Sequence, residues 1–86
     1  MENMEKGYNG WKNYATWNVS LWIANDPTLY NLLKNMTIKY KSKAYKFFIS
    51  YNKLGKEKTK DGIFFLDSRL DYKALDNFIY ELNKNS

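Results

Sequence analysis

The chain has 86 residues and a formal net charge of +5, and 44% of its residues are hydrophobic. This length predicts one domain with a small core. Cysteine and histidine are absent, which excludes disulfides and thiolate metal sites and removes the usual general base and thiol nucleophile. We therefore expect no catalytic, cofactor-binding or metal-binding residues.

A polar arm precedes the first predicted helix. Residues 1–12 are mostly polar and contain two glycines, so we expect them to be flexible and a single helical domain to comprise residues 13–86. Thr16 is a favoured N-cap residue, and the apolar run after it predicts a helix over residues 17–25.

The helix over residues 17–25 is apolar on nearly all sides, since only two of its residues before Asn25 are polar. This is typical of a helix around which other helices pack, and it predicts that Trp17 lies in the core. Asn18 and Asn25 share one narrow stripe of this helix. We interpret them as satisfied buried amides or as its one exposed stripe. The alternative is that Trp22 or this stripe lines a groove for a partner.

Asp26 and Pro27 predict the start of a second helix, because Asp is a favoured N-cap and Pro is favoured at the first helical position. The residue before a proline also avoids the α region, which ends the first helix there. The second helix is predicted over residues 27–36. Its expected buried face consists of Leu29, Leu32, Leu33 and Met36.

A long third helix is predicted over residues 38–54, because apolar residues recur there at near-helical spacing. The face expected to pack into the core consists of Tyr40, Ala44, Phe47, Phe48, Tyr51 and Leu54.

A short extended connector is predicted over residues 62–68, before the last helix. Asp71 is the predicted N-cap of that helix, which we expect over residues 72–83. Its apolar residues follow an i, i+3, i+4, i+7 pattern: Leu75, Phe78, Ile79 and Leu82. Arg69 lies between Asp67 and Asp71, and we expect a local ion pair or cap that holds the connector to the last helix, because a guanidinium pairs well with a carboxylate. The alternative is that Arg69 binds a phosphate. The sequence thus predicts an all-α fold, a compact single domain of four helices.

The positive charge is concentrated in residues 34–60, which carry nine lysines and one acidic residue. The candidate binding residues are four lysines predicted to form a stripe on the third helix and three in the loop after it: Lys39, Lys43, Lys46, Lys53, Lys56, Lys58 and Lys60. Such a surface can meet a phosphate backbone or an acidic protein. The alternative is an ordinary solvated face.

Acidic residues recur in the last part of the chain, at Asp61, Asp67, Asp71, Asp76 and Glu81. Their spacing does not place them on one helix face, so it is not typical of a paired-carboxylate or two-metal site. We interpret them as turn and cap residues and as solvated helix charges.

Two blocks of the sequence have a recognisable pattern. The first comprises Asn13-Tyr14, Thr16-Trp17-Asn18-Val19, Leu21-Trp22-Ile23 and Asn25-Asp26. The second comprises Asp61-Gly62, Asp67, Arg69-Leu70-Asp71, Ala74-Leu75-Asp76, Ile79 and Glu81-Leu82. Together they resemble a family of short, uncharacterised proteins found in phages, other mobile elements and scattered microbial genomes. The resemblance implies a small protein of mobile-element type, and such proteins commonly bind host machinery.

We therefore expect a non-enzymatic binding protein in the cytoplasm of a host cell, since the sequence shows neither a signal peptide nor an apolar run of membrane-spanning length. Its expected partner is a host protein or a protein–nucleic-acid complex. The expected action is stoichiometric antagonism of a host defence complex, in the manner of an anti-CRISPR or anti-restriction protein. The alternative is a small basic nucleic-acid-binding module.

Overall fold

The computed structural model describes residues 8–85, which form four α-helices. They are α1 (Tyr14–Asn25), α2 (Pro27–Lys34), α3 (Ala44–Tyr51) and α4 (Tyr72–Lys84). Within residues 8–85 there is no strand, only two isolated β-bridges. The predicted all-α class is confirmed.

The first helix begins earlier than predicted, because Asn13 and not Thr16 is its N-cap. The Asn13 Oδ1 atom accepts hydrogen bonds from the Thr16 N–H at 2.9 Å and from the Thr16 hydroxyl at 2.7 Å. Both residue types are good caps. Thr16 lies inside the helix, where its hydroxyl accepts a hydrogen bond from the Asp71 N–H at 3.0 Å.

The burial of α1 differs from the expectation for an apolar helix. Its fully buried apolar residues are Val19 and Ile23, whereas Trp17 is only half-buried. The prediction that Trp17 is a core residue is wrong, because its ring packs at the surface against Tyr8 and Tyr14, with centroids 6.2 and 5.7 Å away. Three polar residues of α1 are buried in its place: Thr16, Asn18 and Ser20.

The second helix starts as predicted, with the Asp26 carboxylate accepting from the Leu29 N–H at 3.2 Å. It ends at Lys34, two residues before the predicted end, and Leu33 and Met36 are buried. Asn83 of α4 donates to the carbonyls of both these residues, at 2.8 and 3.0 Å. The end of α2 is therefore held by a side chain from the last helix.

The third helix is half the predicted length, and its buried face is only partly the predicted one, since Ala44 and Phe48 are buried as expected. Residues 37–43 are not helical. The backbone of Lys43 has a positive φ of 62°, and helix α3 begins directly after it. The buried residues of α3 are Ala44, Tyr45, Phe48 and Ile49. The prediction that Tyr40, Phe47 and Tyr51 pack into the core is wrong, since all three side chains are exposed.

The connector is extended only at Ile63 and Phe64, so the prediction of an extended segment over residues 62–68 is right only in part. Turns follow, in which the Asp67 N–H donates to the Phe64 carbonyl at 3.1 Å and the Leu70 N–H to the Asp67 carbonyl at 3.2 Å. Ile63 and Phe65 are buried, whereas Phe64 and Leu66 are exposed. A bridge between Lys58 and Phe64 folds the preceding loop back on this segment.

The predicted cap and position of α4 are confirmed, with Asp71 accepting from the Ala74 N–H at 3.2 Å. Leu75 and Ile79 are fully buried, and α3 packs along α4. None of the helices in residues 8–85 is long and apolar enough to cross a membrane.

The end of the predicted arm packs against the helices. The ring of Trp11 lies 5.4 Å from that of Phe78, and the ring of Tyr8 lies 5.7 Å from that of Tyr14. Residues 1–7 of the predicted arm lie outside the described residues.

Candidate functional site

Polar side chains at the start of α1, including that of its N-cap residue, join the two blocks of the sequence pattern. The Asn13 side chain donates to the Arg69 carbonyl at 2.8 Å, and Thr16 accepts from the Asp71 N–H. These contacts span more than fifty residues of sequence. They fix α1 against the segment that leads into α4.

Asp61 is the centre of the second contact between the blocks. One of its carboxylate oxygens accepts from Asn18 at 2.8 Å and from the Trp22 indole N–H at 2.9 Å. These two bonds, the Trp22 bond first, lower the pKa of Asp61 below its usual value. The side-chain oxygen of Asn18 accepts a hydrogen bond from the Thr59 hydroxyl at 2.7 Å. The oxygen of this hydroxyl accepts in turn from two backbone N–H groups that follow it in the chain.

The two asparagines of α1 therefore have different environments. Asn18 is a buried amide with satisfied hydrogen bonds, whereas Asn25 is exposed and donates to Leu21 of its own helix. Throughout residues 8–85, every buried side-chain nitrogen and oxygen has a hydrogen-bond partner. The donors of Asn18 and Trp22 are used within the chain, so this network holds the fold together.

Arg69 forms the expected ion pair, and its partner is Asp67. The guanidinium donates to both carboxylate oxygens of Asp67, at 2.9 and 2.7 Å. The Arg69 side-chain hydrogen bonds, and then the Arg69 backbone N–H, lower the pKa of Asp67 to about 2. The other aspartate that flanks Arg69 in the sequence, Asp71, caps α4 instead.

Asp67 and Asp71 act as turn and cap residues, as predicted, whereas Asp76, which was expected to be a solvated charge on the last helix, caps a second helix. Asp76 extends from α4 to the start of α3, where it accepts from the Lys43 N–H at 3.1 Å and the Tyr45 N–H at 2.9 Å. Among residues 8–85, no group of three or more His, Cys, Asp or Glu side chains is arranged to hold a metal ion.

The four lysines of the predicted stripe do not share a helix, because helix α3 contains only Lys46. That ammonium lies over the Tyr72 ring, 4.7 Å from its centroid. A depression of about 410 Å³ beside Trp22 is lined by three others, Lys53, Lys58 and Lys60, together with Asp26 and Glu57. Lys56 is exposed in the loop.

The last two candidate lysines, Lys39 and Lys43, line a groove of about 430 Å³ at the start of α3. Its walls consist of Thr37, Ile38, Lys39, Tyr40, Ser42, Lys43, Ala44 and Phe47. These lysines thus lie beside two exposed aromatic rings, Tyr40 and Phe47.

Three aromatic side chains near this groove remain in solvent. Tyr40 is 75% exposed, Tyr51 is 65% exposed and Phe47 is 46% exposed. The rings of Phe47 and Tyr51 are one helical turn apart, with centroids 5.9 Å from each other. We call Tyr40, Phe47 and Tyr51 the ring surface. The sequence prediction missed it because it assigned these residues to the core.

One signal in the sequence was available for the ring surface. The segment around α3 has apolar residues on two faces, and the second face, with Tyr45 and Ile49, is the buried one. A helix that is apolar on both faces exposes one of them unless a second partner covers it.

The fold and its surface define a small all-α protein with an exposed aromatic and basic face. The chain belongs to the DUF7249 family, a family of unknown function whose sequence model matches residues 4–85. No curated protein and no solved structure matches the chain.

Proposed function

We propose that the protein is a small non-enzymatic binding protein of viral or mobile-element type. It acts in the host-cell cytoplasm as a stoichiometric antagonist of a defence complex that handles nucleic acid. The observation that supports this proposal best is the ring surface beside Lys39 and Lys43.

Three large rings lie in water on this side of the molecule. A small domain has little apolar surface to bury, so each ring outside the core is a loss of stabilisation. Contiguous exposed apolar groups commonly mark interaction sites, and aromatic residues are enriched at the centres of interfaces. The ring surface is therefore the part of the described chain best suited to contact a partner.

The charge around the ring surface favours a negatively charged partner. No acidic residue occurs between Pro27 and Lys56. Asp76, which reaches this end of α3, directs both oxygens to backbone N–H groups. Positive charge of this kind speeds encounter with nucleic acid or with a complex that carries it.

A rigid surface is sufficient for antagonism. Helix α3 is held by the buried side chains of Tyr45, Phe48 and Ile49. The Tyr45 hydroxyl donates to the Phe65 carbonyl at 2.6 Å, and burial raises the pKa of this phenol above its usual value. The rings on the outer face of α3 are therefore presented without movement of the scaffold, and occupation of one site per target complex blocks it.

The test is phage plating on a strain with an active defence system that expresses this protein. Inhibition of defence should saturate near one protein per target complex. Tyr40→Ala, Phe47→Ala and Tyr51→Ala should restore defence, whereas Phe64→Ala should not. Phe64 is a suitable control because it is 48% exposed, nearly the same as Phe47, and lies outside the groove.

Full defence at high expression, across several defence systems, would contradict the antagonist proposal. The alternative function is a small basic nucleic-acid-binding module, which the placement of Lys39 and Lys43 beside the rings also favours. An affinity pull-down from lysate, with and without nuclease, separates the two. Loss of the partner on nuclease treatment, without any effect on phage plating, supports the module.

A further inference from the structure

We infer that the ring surface is a binding site for single-stranded nucleic acid. Bases stack on Tyr40, Phe47 and Tyr51, and phosphates contact Lys39 and Lys43. The inference rests on the proposed function, because it names single-stranded nucleic acid as the part of the target complex that the protein contacts.

All three rings have the exposure that stacking requires, and two of them stand on a helix that is packed against the rest of the fold. Phe47 and Tyr51 project from the same face of α3, with centroids 5.9 Å apart and planes inclined by 46°. Tyr40 and Phe47 line the same groove. Helix α3 is fixed from behind by its burial against α4 and by the Asp76 cap. Exposed rings in a basic groove are the usual platform for single-stranded nucleic acid.

The lysines beside the rings are placed to contact a phosphate backbone. Lys39 and Lys43 line the groove. Lys43 has a backbone φ of 62°, in the left-handed region that few residues other than glycine adopt. Contacts to phosphates carry no sequence information, and stacking accepts any base because every base has a π-face. The site should therefore tolerate many base sequences.

The separation of the lysines argues against a duplex as the ligand. Binding along a duplex needs positive charges that follow the phosphates of the backbone. The structure distributes the seven candidate lysines over separate places, with only Lys39 and Lys43 beside the ring surface. Bases within a duplex are also stacked on one another, so they are not available to protein rings.

The experiment is fluorescence anisotropy with end-labelled single-stranded DNA and RNA oligonucleotides and with duplexes of the same sequence. Single strands should bind at least about tenfold more tightly than duplexes. Phe47→Ala and Tyr51→Ala should each weaken binding about tenfold, as expected for loss of one stacked base. Phe64→Ala is the matched control and should bind as the wild type does.

The lysines are tested through the salt dependence of binding. Lys39→Gln with Lys43→Gln should reduce the slope of log affinity against log salt by about 1.4, or about 0.7 for each phosphate contact. Phe47→Ala should leave this slope unchanged. Phe47→Trp should bind as tightly as the wild type does, because it keeps a ring on which a base can stack. Unchanged thermal unfolding of each variant shows that the fold is intact.

Equal affinity for single strands and duplexes, or equal effects of Phe47→Ala and Phe64→Ala, would overturn the inference. So would the absence of measurable binding at low salt. The proposed function is separable from this result. If phage plating still depends on the ring surface when oligonucleotides do not bind, the target is an acidic protein surface. The antagonist proposal then survives without this inference.

Discussion

Two asparagines seven residues apart on α1 show how an identical side chain acquires different roles. Asn18 is fully buried and connects α1 to both Thr59 and Asp61. Asn25 is exposed, and its side chain donates a hydrogen bond to the Leu21 carbonyl, one turn back in the same helix. The cost of losing each amide should therefore differ.

Asn18→Ala should lower the free energy of unfolding by about 2 kcal/mol, because it leaves the buried Thr59 hydroxyl without its acceptor. Asn25→Ala should change it by no more than about 0.5 kcal/mol, as is usual for exposed positions. Urea denaturation of both variants measures the difference. Similar values for the two variants would mean that the Asn18 network does not stabilise the fold.

The lowered pKa of Asp67 predicts that the protein loses stability in acid. This pKa is lowered to about 2 in the folded chain by Arg69, whereas an unfolded aspartate titrates near 3.9. A lowered pKa means that the ionised form is favoured by folding. The contribution is therefore present above about pH 4 and is lost as the pH falls towards 2.

The test compares the wild type with Asp67→Asn by denaturant unfolding at pH 5 and at pH 2. The wild type should be more stable at pH 5, and this advantage should disappear at pH 2. Glu81→Gln, at an exposed position of α4, controls for the change in net charge. An advantage that is the same at both pH values would contradict the lowered pKa.

At the scale of elements, helix α3 depends most on residues distant in sequence. No side chain at its N-cap position, Lys43, satisfies the first N–H groups of the helix. Asp76 supplies this cap from α4, more than thirty residues later in the chain. The beginning of α3 is therefore determined by packing against α4.

Asp76→Ala should lower the free energy of unfolding by about 1–2 kcal/mol, which is the usual cost of losing an N-cap. Asp76→Asn should cost less, because one carboxamide oxygen still accepts. Asn77→Ala, at an exposed neighbouring position, should have little effect. Denaturant unfolding measures all three. If Asp76→Ala and Asn77→Ala are equally stable, the cap does not fix α3.

The elements differ in how well the sequence predicted them. Helices α2 and α4 begin where Asp26 and Asp71 predicted, because an N-cap acts on N–H groups within three residues. Helix α1 begins three residues early, since Asn13 is an equally suitable cap. Helix α3 was predicted far too long, because its limit is set by Lys43 and Asp76 together.

For the whole molecule, one core joins all four helices. Buried residues from each helix belong to a single cluster, to which Ile63 and Phe65 of the connector also contribute. Trp11, ahead of the helices, packs on the same cluster. No helix of the described chain has a core of its own, so the helices should unfold together.

Far-UV circular dichroism should be dominated by helix, and its thermal transition should coincide with that of tryptophan fluorescence. The reason is that small domains with one core usually unfold in a single cooperative step. Trp17 and Trp22 report on α1, whereas circular dichroism reports on all helices. Separate transitions, or a spectrum of mainly strand character, would contradict this description.

The candidate site was predicted only in part. The sequence identified the lysines, and the structure places Lys39 and Lys43 in one groove. It did not predict the ring surface, because Tyr40, Phe47 and Tyr51 have the same helical spacing as core residues. Periodicity shows which residues share a face, but it does not show which of two apolar faces meets the rest of the chain.

The sequence by itself determined the all-α class, the caps of α2 and α4, and a local ion pair of Arg69, although not which of its two neighbouring aspartates is the partner. These features depend on residues within a few positions of one another, so the local pattern contains the necessary information. Tertiary structure alone decided that α1 buries three of its polar side chains and that three rings in and before α3 are exposed. Buried polar groups need specific partners, and Asn18 finds them in Thr59 and Asp61, about forty residues away. Such partners are brought together only by the complete fold.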